Sequence, residues 1–163
     1  MSIRIIPIGE SHIEGFRAVL DSVARERKYL AQLEAQPIES VRNYITGCIA
    51  SDAALFVAVD GSLVVGWSDI LPHWAHAVRH RGTLGMGIVS SYRGRGIGKQ
   101  LLAACLEKAK AKGITRVELE VRSDNFAAIG LYKKLGFVHE ATLQRAMKID
   151  ATYYEALQMA RMI

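Results

Sequence analysis

The sequence has few of the features that mark secreted or membrane-embedded proteins. It contains two cysteines in 163 residues, Cys48 and Cys105, and no Cys-x-x-Cys pair. Two cysteines cannot build a disulfide framework, and a small buried apolar role on a helix fits both. The longest apolar runs, such as Leu55–Val59, are far too short to cross a bilayer. The first residues also lack the apolar core of a signal peptide. We therefore expect a cytoplasmic protein that binds no membrane.

No repeat, low-complexity tract or interdomain linker divides the chain. Half of the residues are hydrophobic and 23% are charged, which is the composition of an ordinary globular protein and excludes intrinsic disorder. The length fits one domain better than two. We expect a single domain over residues 1–163.

The positive charge is concentrated in the middle of the chain. The formal net charge is +5, and residues 93–134 contain ten Lys/Arg and four Asp/Glu. Such a concentration indicates an anionic partner: a nucleic acid, a phosphate-bearing cofactor or an acidic protein. A solvated basic helix face would have the same composition. The interleaved aromatics of a single-strand-binding groove are missing, so no nucleic acid is expected.

Periodicity predicts an α/β protein in which helices cover a mixed sheet. The predicted order is a strand, two helices, three strands, a helix, a strand, a helix and two strands. A Ser11-x-x-Glu14 capping box predicts the start of the first helix, whose pattern continues with an interruption towards Leu33. Residues 71–82 are predicted to form a polar loop with three histidines, His73, His76 and His80. Because no carboxylate or cysteine lies there at ligand spacing, no metal site is expected.

A glycine-rich segment lies between the predicted strand Leu84–Val89 and the following helix. Residues 92–99 are Tyr-Arg-Gly-Arg-Gly-Ile-Gly-Lys. Alternate glycines let an anion approach the backbone, and a helix start offers free N–H groups and the positive end of its dipole. The segment is therefore suited to a phosphate or pyrophosphate. It matches neither a Walker loop nor a dinucleotide fingerprint. The alternative is a tight turn with incidental basic residues.

Two motifs together resemble those of the GNAT-superfamily N-acetyltransferases. Residues 93–98, Arg-Gly-Arg-Gly-Ile-Gly, are similar to that family's acetyl-CoA motif, Gln/Arg-x-x-Gly-x-Gly/Ala. Residues 125–137, Asn-Phe-Ala-Ala-Ile-Gly-Leu-Tyr-Lys-Lys-Leu-Gly-Phe, look like its second motif. The resemblance implies the acyl-CoA N-acyltransferase fold, with a mixed central sheet of about seven strands and about four helices. It also implies acetyl-CoA as the acyl donor and no metal.

The resemblance implies roles for particular residues. Met86, Gly87 and Ile88 match the strand whose backbone pairs with pantetheine. Asn125 matches an asparagine that contacts the cofactor, and it can also cap a helix. Tyr132 matches the tyrosine that protonates the departing thiolate, for which a packing role is the alternative. The pyrophosphate would lie on the loop residues Arg93, Gly94, Arg95, Gly96, Ile97, Gly98 and Lys99.

The branch of the family is left open by the sequence. Residues 119–122, Leu-Glu-Val-Arg, resemble the branch that acetylates protein N-termini, including ribosomal-protein alanine acetyltransferases, in which this glutamate is the general base. Residue types alone leave Glu120 as one of two glutamates on a polar strand face. Other parts look like small-molecule members, such as phosphinothricin-type acetyltransferases. Tyr29, Trp67 and Trp74 are candidates for an acceptor pocket, and packing in the core is the alternative for Trp67.

We therefore expect transfer of an acetyl group from acetyl-CoA to a primary amine, by direct attack in a ternary complex. The expected acceptor is a small molecule or an amino acid, and a peptide N-terminus is the alternative. The chain is also a candidate to form a homodimer. The alternative from another class is a non-catalytic acyl-CoA-binding regulatory module, which CoA release with any amine would exclude.

Overall fold

The computed structural model describes residues 2–163, which form seven strands and four helices. This confirms the expected mixed α/β architecture. In chain order the elements are β1 (Ile3–Pro7), α1 (Ile13–Arg25), α2 (Ile38–Ala50), β2 (Ala54–Asp60), β3 (Leu63–Pro72), β4 (Arg81–Ile88), α3 (Ile97–Ala111), β5 (Arg116–Arg122), α4 (Phe126–Lys134), β6 (Val138–Ile149) and β7 (Thr152–Met162).

All seven strands belong to one sheet, in the order β1-β2-β3-β4-β5-β7-β6. Neighbouring strands are antiparallel except β4 and β5, which are parallel. This parallel pair is short: it joins residues 81–83 of β4 to residues 116–118 of β5. Beyond these positions the two strands separate, while β3 and β7 continue to pair with their outer edges. The sheet therefore opens into a wedge at its centre.

Two helical layers cover the two faces of the sheet. The apolar faces of α1 and α2 pack on one side against alternate residues of β2, including Leu55 and Val57. The helices α3 and α4 pack on the other side, where α3 buries Leu102 and Cys105. Because side chains alternate along a strand, β2 supplies both cores. Both cysteines are buried and unpaired with each other.

The first helix differs from its prediction at both ends. Ser11 does not cap it, because residues 10–12 form a single 3-10 turn in which Gly9 N donates to His12 Nδ1 at 2.9 Å. The helix begins at Ile13 and ends at Arg25, far short of Leu33. Arg27 adopts a positive φ of 57°, which a helix cannot continue through. Residues 26–37 instead form an irregular segment with no helix or strand.

The predicted polar loop at residues 71–82 is shorter than expected. Strand β3 runs to Pro72 and β4 begins at Arg81, so the connection covers residues 73–80. The extra pairing comes from Leu71 with Thr83 and Pro72 with Gly82. His73 Nε2 lies 3.0 Å from Glu118 Oε1, whereas His76 and His80 are exposed.

Candidate active site

The wedge between β4 and β5 contains a cavity of about 560 Å³. Its walls come from β4, the glycine loop, α4, β5 and the irregular segment after α1. The structure brings twelve of the thirteen residues predicted for the site to this one cavity, and Arg95 is the exception. The twelve are Met86, Gly87, Ile88, Arg93, Gly94, Gly96, Ile97, Gly98, Lys99, Glu120, Asn125 and Tyr132.

The open edge of β4 exposes backbone groups at alternate residues. Val89 N donates to Val65 O at 3.0 Å, which fixes which residues of β4 face β3. By this alternation, Gly87 directs its N–H and C=O towards β3, while Met86 and Ile88 direct theirs into the wedge. The Ile88 carbonyl oxygen accepts a hydrogen bond from Arg93 Nε at 2.9 Å. Met86 and Ile88 are thus the residues of this strand whose backbone can bind an extended ligand.

The glycine loop turns the chain into α3 and leaves its first N–H groups free. Gly94 and Gly96 have φ of 74° and 76°, a conformation that side-chain-bearing residues rarely adopt. Gly96 is the N-cap of α3 and supplies no side-chain hydrogen bond. Among the described residues 2–163, none accepts from the backbone N–H groups of Ile97, Gly98 or Lys99. An anion is the natural partner for such a helix start.

The three basic side chains of this loop have different partners. Arg93 forms a bidentate pair with Glu26 (2.6 and 2.9 Å), so it holds the segment after α1 against the loop. Arg95 donates to Ser91 O at 2.7 Å and lies over the Tyr92 ring, which explains why it does not line the cavity. Lys99 lines the cavity and forms no ion pair within residues 2–163. Lys99 is therefore the loop cation that remains available to a ligand.

Helix α4 contributes a cap and a buried phenol. Asn125 Oδ1 accepts from Ala128 N at 3.3 Å, so Asn125 is the N-cap of α4, and this residue also borders the cavity. The Tyr132 ring packs against Phe137 with centroids 5.8 Å apart. Its hydroxyl has no hydrogen-bond partner in residues 2–163. Burial raises the pKa of Tyr132 to about 12, so this phenol holds its proton at neutral pH.

Two glutamates of β5 lie on the same strand face but in different surroundings. Glu118 is buried and accepts hydrogen bonds from Arg81 at 2.7 Å and Arg116 at 2.8 Å. Burial raises its pKa, but the hydrogen bonds from these arginines outweigh burial and lower it to about 2. Glu120 is exposed and lines the cavity. Only Glu120 is free to meet a substrate.

A second cavity, of about 470 Å³, adjoins the first and shares Leu30, Ala31, Gly85 and Met86 with it. Asp69 of β3 lines this cavity, although it was not among the residues predicted for the site. Asp69 and Trp67 are two residues apart on a strand and therefore share one face, which was the available signal. Trp67 also lines it. Tyr29 lines the first cavity, whereas Trp74 is 89% exposed and lines neither.

The arrangement of the sheet, the glycine loop and α4 is that of an acyltransferase, and comparison identifies the family. The acetyltransferase (GNAT) family model matches residues 17–137. The chain belongs to this family.

Several curated relatives resemble parts of the chain. An L-2,4-diaminobutyric acid acetyltransferase of Shouchella clausii is 32% identical over 124 residues, covering 71% of this chain and 64% of that protein. A ribosomal protein bS18 alanine N-acetyltransferase of Salmonella typhimurium is 43% identical over 54 residues, 33% of this chain and 36% of that one. The chain thus spans less than two thirds of the length of these relatives.

Solved structures match over nearly the entire chain. A GNAT-family acetyltransferase of Streptococcus pneumoniae is 26% identical with a TM-score of 0.93, covering 99% of this chain and all of the other. A phosphinothricin acetyltransferase of Sinorhizobium meliloti in complex with acetyl-CoA has a TM-score of 0.91 at 15% identity, covering 100% and 89% of the two chains. At 15% identity, the similarity to this second structure shows the fold alone.

Neither a membrane helix nor a metal cluster is found in residues 2–163. None of the four helices combines the length and hydropathy of a membrane span. No group of three or more His, Cys, Asp or Glu side chains is arranged to hold a metal ion.

Proposed function

We propose that this chain transfers the acetyl group of acetyl-CoA to a primary amine, by direct attack in a ternary complex. The observation that carries the proposal is the first cavity, in the wedge between β4 and β5. It combines an anion-binding helix start, an open strand edge, a protonated phenol and an exposed carboxylate. These are the groups that phosphate binding, pantetheine binding and proton transfer require.

The residues present fit acetyl-CoA. The free N–H groups of Ile97, Gly98 and Lys99 suit the pyrophosphate, and the Lys99 ammonium adds a full charge. Met86 and Ile88 offer backbone groups in the wedge, which suit the amides of pantetheine. The Ile88 carbonyl oxygen is held by Arg93, so Met86 offers the stronger pairing position. Asn125 borders the same space.

Acetyl-CoA supplies an activated thioester carbonyl. In the proposed reaction Glu120 removes a proton from the ammonium form of the acceptor, directly or through water. A backbone N–H on the open edge of β4 stabilises the negative charge that develops on the carbonyl oxygen. Tyr132 then donates its proton to the CoA sulfur as the C–S bond breaks, and the phenolate recovers a proton from the nitrogen of the new amide. Neither cysteine takes part, since both are buried away from the cavity.

Transfer to a protein N-terminus is the second candidate. It is favoured by Glu120 in its Leu-Glu-Val-Arg setting, together with the 43% identity to the bS18 alanine acetyltransferase over 54 residues. A small amine or amino acid is favoured by relatives named for L-2,4-diaminobutyric acid and L-methionine sulfoximine. The non-catalytic alternative is disfavoured because both proton-transfer groups are present.

The same proposal includes a single N-acetyltransferase domain over residues 1–163 and a cytoplasmic location. Two free, buried cysteines are compatible with a reducing compartment. A homodimer is also part of the proposal, and sedimentation would report it directly.

The proposal is tested by incubating the protein with acetyl-CoA and a panel of primary amines and measuring free CoA thiol. We expect thiol release with at least one amine, and Tyr132→Phe should lower kcat by about 10- to 10³-fold with little change in acetyl-CoA affinity. Tyr153→Phe, an exposed tyrosine of β7, is the matched control. Thiol release with no acceptor would support the regulatory module. Unchanged kcat with lost acetyl-CoA binding would make Tyr132 only a wall of the cavity.

A further inference from the structure

The second cavity lies on the α1–α2 side of the sheet, next to the first. The two share four wall residues: Leu30, Ala31, Gly85 and Met86. Met86, like Ile88, directs its backbone groups into the wedge, so the second cavity borders the strand edge that we propose for acetyl-CoA. Its volume of about 470 Å³ is within the range of small-molecule sites.

Gly85 of β4 lies in the wall of this cavity, and Trp67 and Asp69 of β3 also line it. Asp69 pairs with Gly85, and Trp67 pairs with Gly87. A Cβ at residue 85 would lie 3.2 Å from Asp69 Oδ1, and one at residue 87 would lie 2.4 Å from the Trp67 ring. The bare backbone is therefore what leaves room for the carboxyl group and the indole at the shared wall.

The walls combine aromatic rings with a single acidic group. Phe16 and Trp67 meet edge to face with centroids 5.6 Å apart, and Tyr44 lies 6.2 Å from Phe16. Trp67 Nε1 donates to Asp69 Oδ2 at 3.2 Å, which orients the carboxyl group. Asp69 is the one charged residue among the lining residues of this cavity in the described chain; the other polar ones are Gln32, Gln36, Ser40 and Tyr44.

Asp69 is poorly solvated in the absence of a ligand. Burial raises its pKa to about 7, although hydrogen bonds from Trp67, Tyr44 and the Gly85 backbone act in the opposite direction. No Lys or Arg lines the cavity to compensate the carboxylate. Arg17, which does not line the cavity, donates from Nε to the carbonyl oxygen of the lining residue Gln36 at 2.8 Å. Among residues 2–163, the walls of this cavity thus contain an acidic group and no cation.

We propose that Asp69 binds the ammonium group of the acetyl acceptor, and that the acceptor carries no carboxylate on the carbon next to that amine. This inference rests on the proposed function and names the substrate class for it. A primary ammonium group on an apolar body would pair with Asp69 and lie against the aromatic rings. Asp69 is then a substrate-binding residue, while Glu120 remains the proposed base.

An α-amino acid does not fit these walls. Its carboxylate is attached to the carbon that bears the amine, so it would lie beside the Asp69 carboxylate in a cavity without a lining cation. Burying a second, unpaired negative charge there is strongly unfavourable. A small amine and a peptide N-terminus both avoid this repulsion, because the neighbouring carbon carries either an apolar group or a neutral amide.

The first test compares acceptors of matched shape. Isopentylamine, leucinamide, the tripeptide Leu-Gly-Gly and leucine share one side chain and differ in what is attached beside the amine. We expect kcat/KM, referred to the ammonium form, to be at least about tenfold lower for leucine than for isopentylamine or leucinamide. The tripeptide arm separates the two sources of the ammonium group. Leucine as the best of the four would overturn the inference.

The second test removes the charge. Asp69→Asn should raise KM for the amines at least about tenfold and reduce the discrimination against leucine, while acetyl-CoA affinity measured by calorimetry is unchanged. Asp52→Asn, which removes an exposed carboxylate paired with Lys108, is the control. Unchanged KM and unchanged discrimination in a folded Asp69→Asn variant would overturn the inference and leave the proposed function intact. Absence of thiol release with every amine in the unmodified protein would instead count against the proposed function itself, and with it this inference.

Discussion

The two halves of the β4–β5 pair use the same kinds of residue for different purposes. In the paired half, Glu118 is surrounded by Arg81, Arg116 and His73, and Arg116 also pairs with Glu140. In the separated half, Glu120 stands on the cavity wall with an exposed side chain. Glu118 and Glu120 are only two residues apart on β5. Glu118 belongs to an ion cluster, whereas Glu120 lies in a site that is open to ligands.

The difference follows from where the strands stop pairing. Up to Thr83 and Glu118 the strands are hydrogen-bonded, and side chains on one face are close enough to form ion pairs across them. Beyond that point the distance grows, so the next glutamate has no partner to meet. The cluster holds the strands together at one end, and the wedge at the other end becomes available to ligands.

The largest expected effect is the loss of activity when Glu120, in the separated half of the strand pair, is changed. Glu120→Gln should lower kcat/KM by roughly 10²–10⁴-fold near neutral pH, because a general base is lost. The loss should shrink at high pH, since an acceptor amine with an ordinary pKa of about 10.4 is then increasingly neutral. The measurement is a pH profile of thiol release for both proteins.

Thermal unfolding provides the control for Glu120→Gln. An exposed side chain without an ion pair should leave the unfolding temperature nearly unchanged. A loss of activity of the same size at every pH would mean that Glu120 positions the acceptor and does not act as a base.

A smaller effect, on stability, is expected when Glu118 in the paired half of the strand pair is changed. Glu118→Gln should destabilise the fold by about 2–4 kcal/mol at neutral pH, because it leaves the Arg81 and Arg116 guanidinium groups without a charged partner. Part of the loss is offset by Glu140, which still pairs with Arg116. Denaturant unfolding measures the free energy, and acetyl-CoA affinity of the folded variant should be close to that of the unmodified protein.

The pH dependence sharpens this prediction. The pKa of Glu118 is about 2 in the folded chain and 4.5 in its ordinary state. A carboxyl group with a lowered pKa stabilises the fold above its ordinary pKa, and this contribution is lost as the pH falls towards the folded value. The difference in unfolding free energy between the two proteins should therefore shrink between about pH 5 and pH 2. A difference that is constant over this range would show that packing, not charge, is responsible.

Most of the fold could be predicted from the sequence because its signals are local. The alternation of Val117, Leu119 and Val121 predicts β5, and the Asp60-Gly61 turn predicts the hairpin of β2 and β3. The predicted C-terminal end of α1 was wrong because the segment that follows the helix is held by a distant partner. Glu26 is held by Arg93, which is 67 residues away, so nothing near Leu33 in the sequence indicates the irregular path.

The candidate site likewise contains residues that local motifs predict and residues whose placement depends on strand pairing. The glycine loop, Asn125 and Tyr132 lie in contiguous motifs, so their grouping around one cavity was foreseeable. Asp69 was missed because its position depends on register: only the pairing of Asp69 with Gly85 puts the carboxyl group over bare backbone at the shared wall. The different environments of Glu118 and Glu120 also require the length of the β4–β5 ladder, which no local pattern encodes.

The central claim is that the separated half of the wedge binds acetyl-CoA through the start of α3. Gly96→Val and Gly113→Val change glycines at the two ends of this helix, both with positive φ, and nothing lies within 4 Å of an added Cβ at either. Both should carry a similar backbone strain, on the order of 1–2 kcal/mol. Calorimetric titration with acetyl-CoA should show an affinity at least about tenfold weaker for Gly96→Val and unchanged for Gly113→Val. Equal affinities in the two folded variants would contradict the claim.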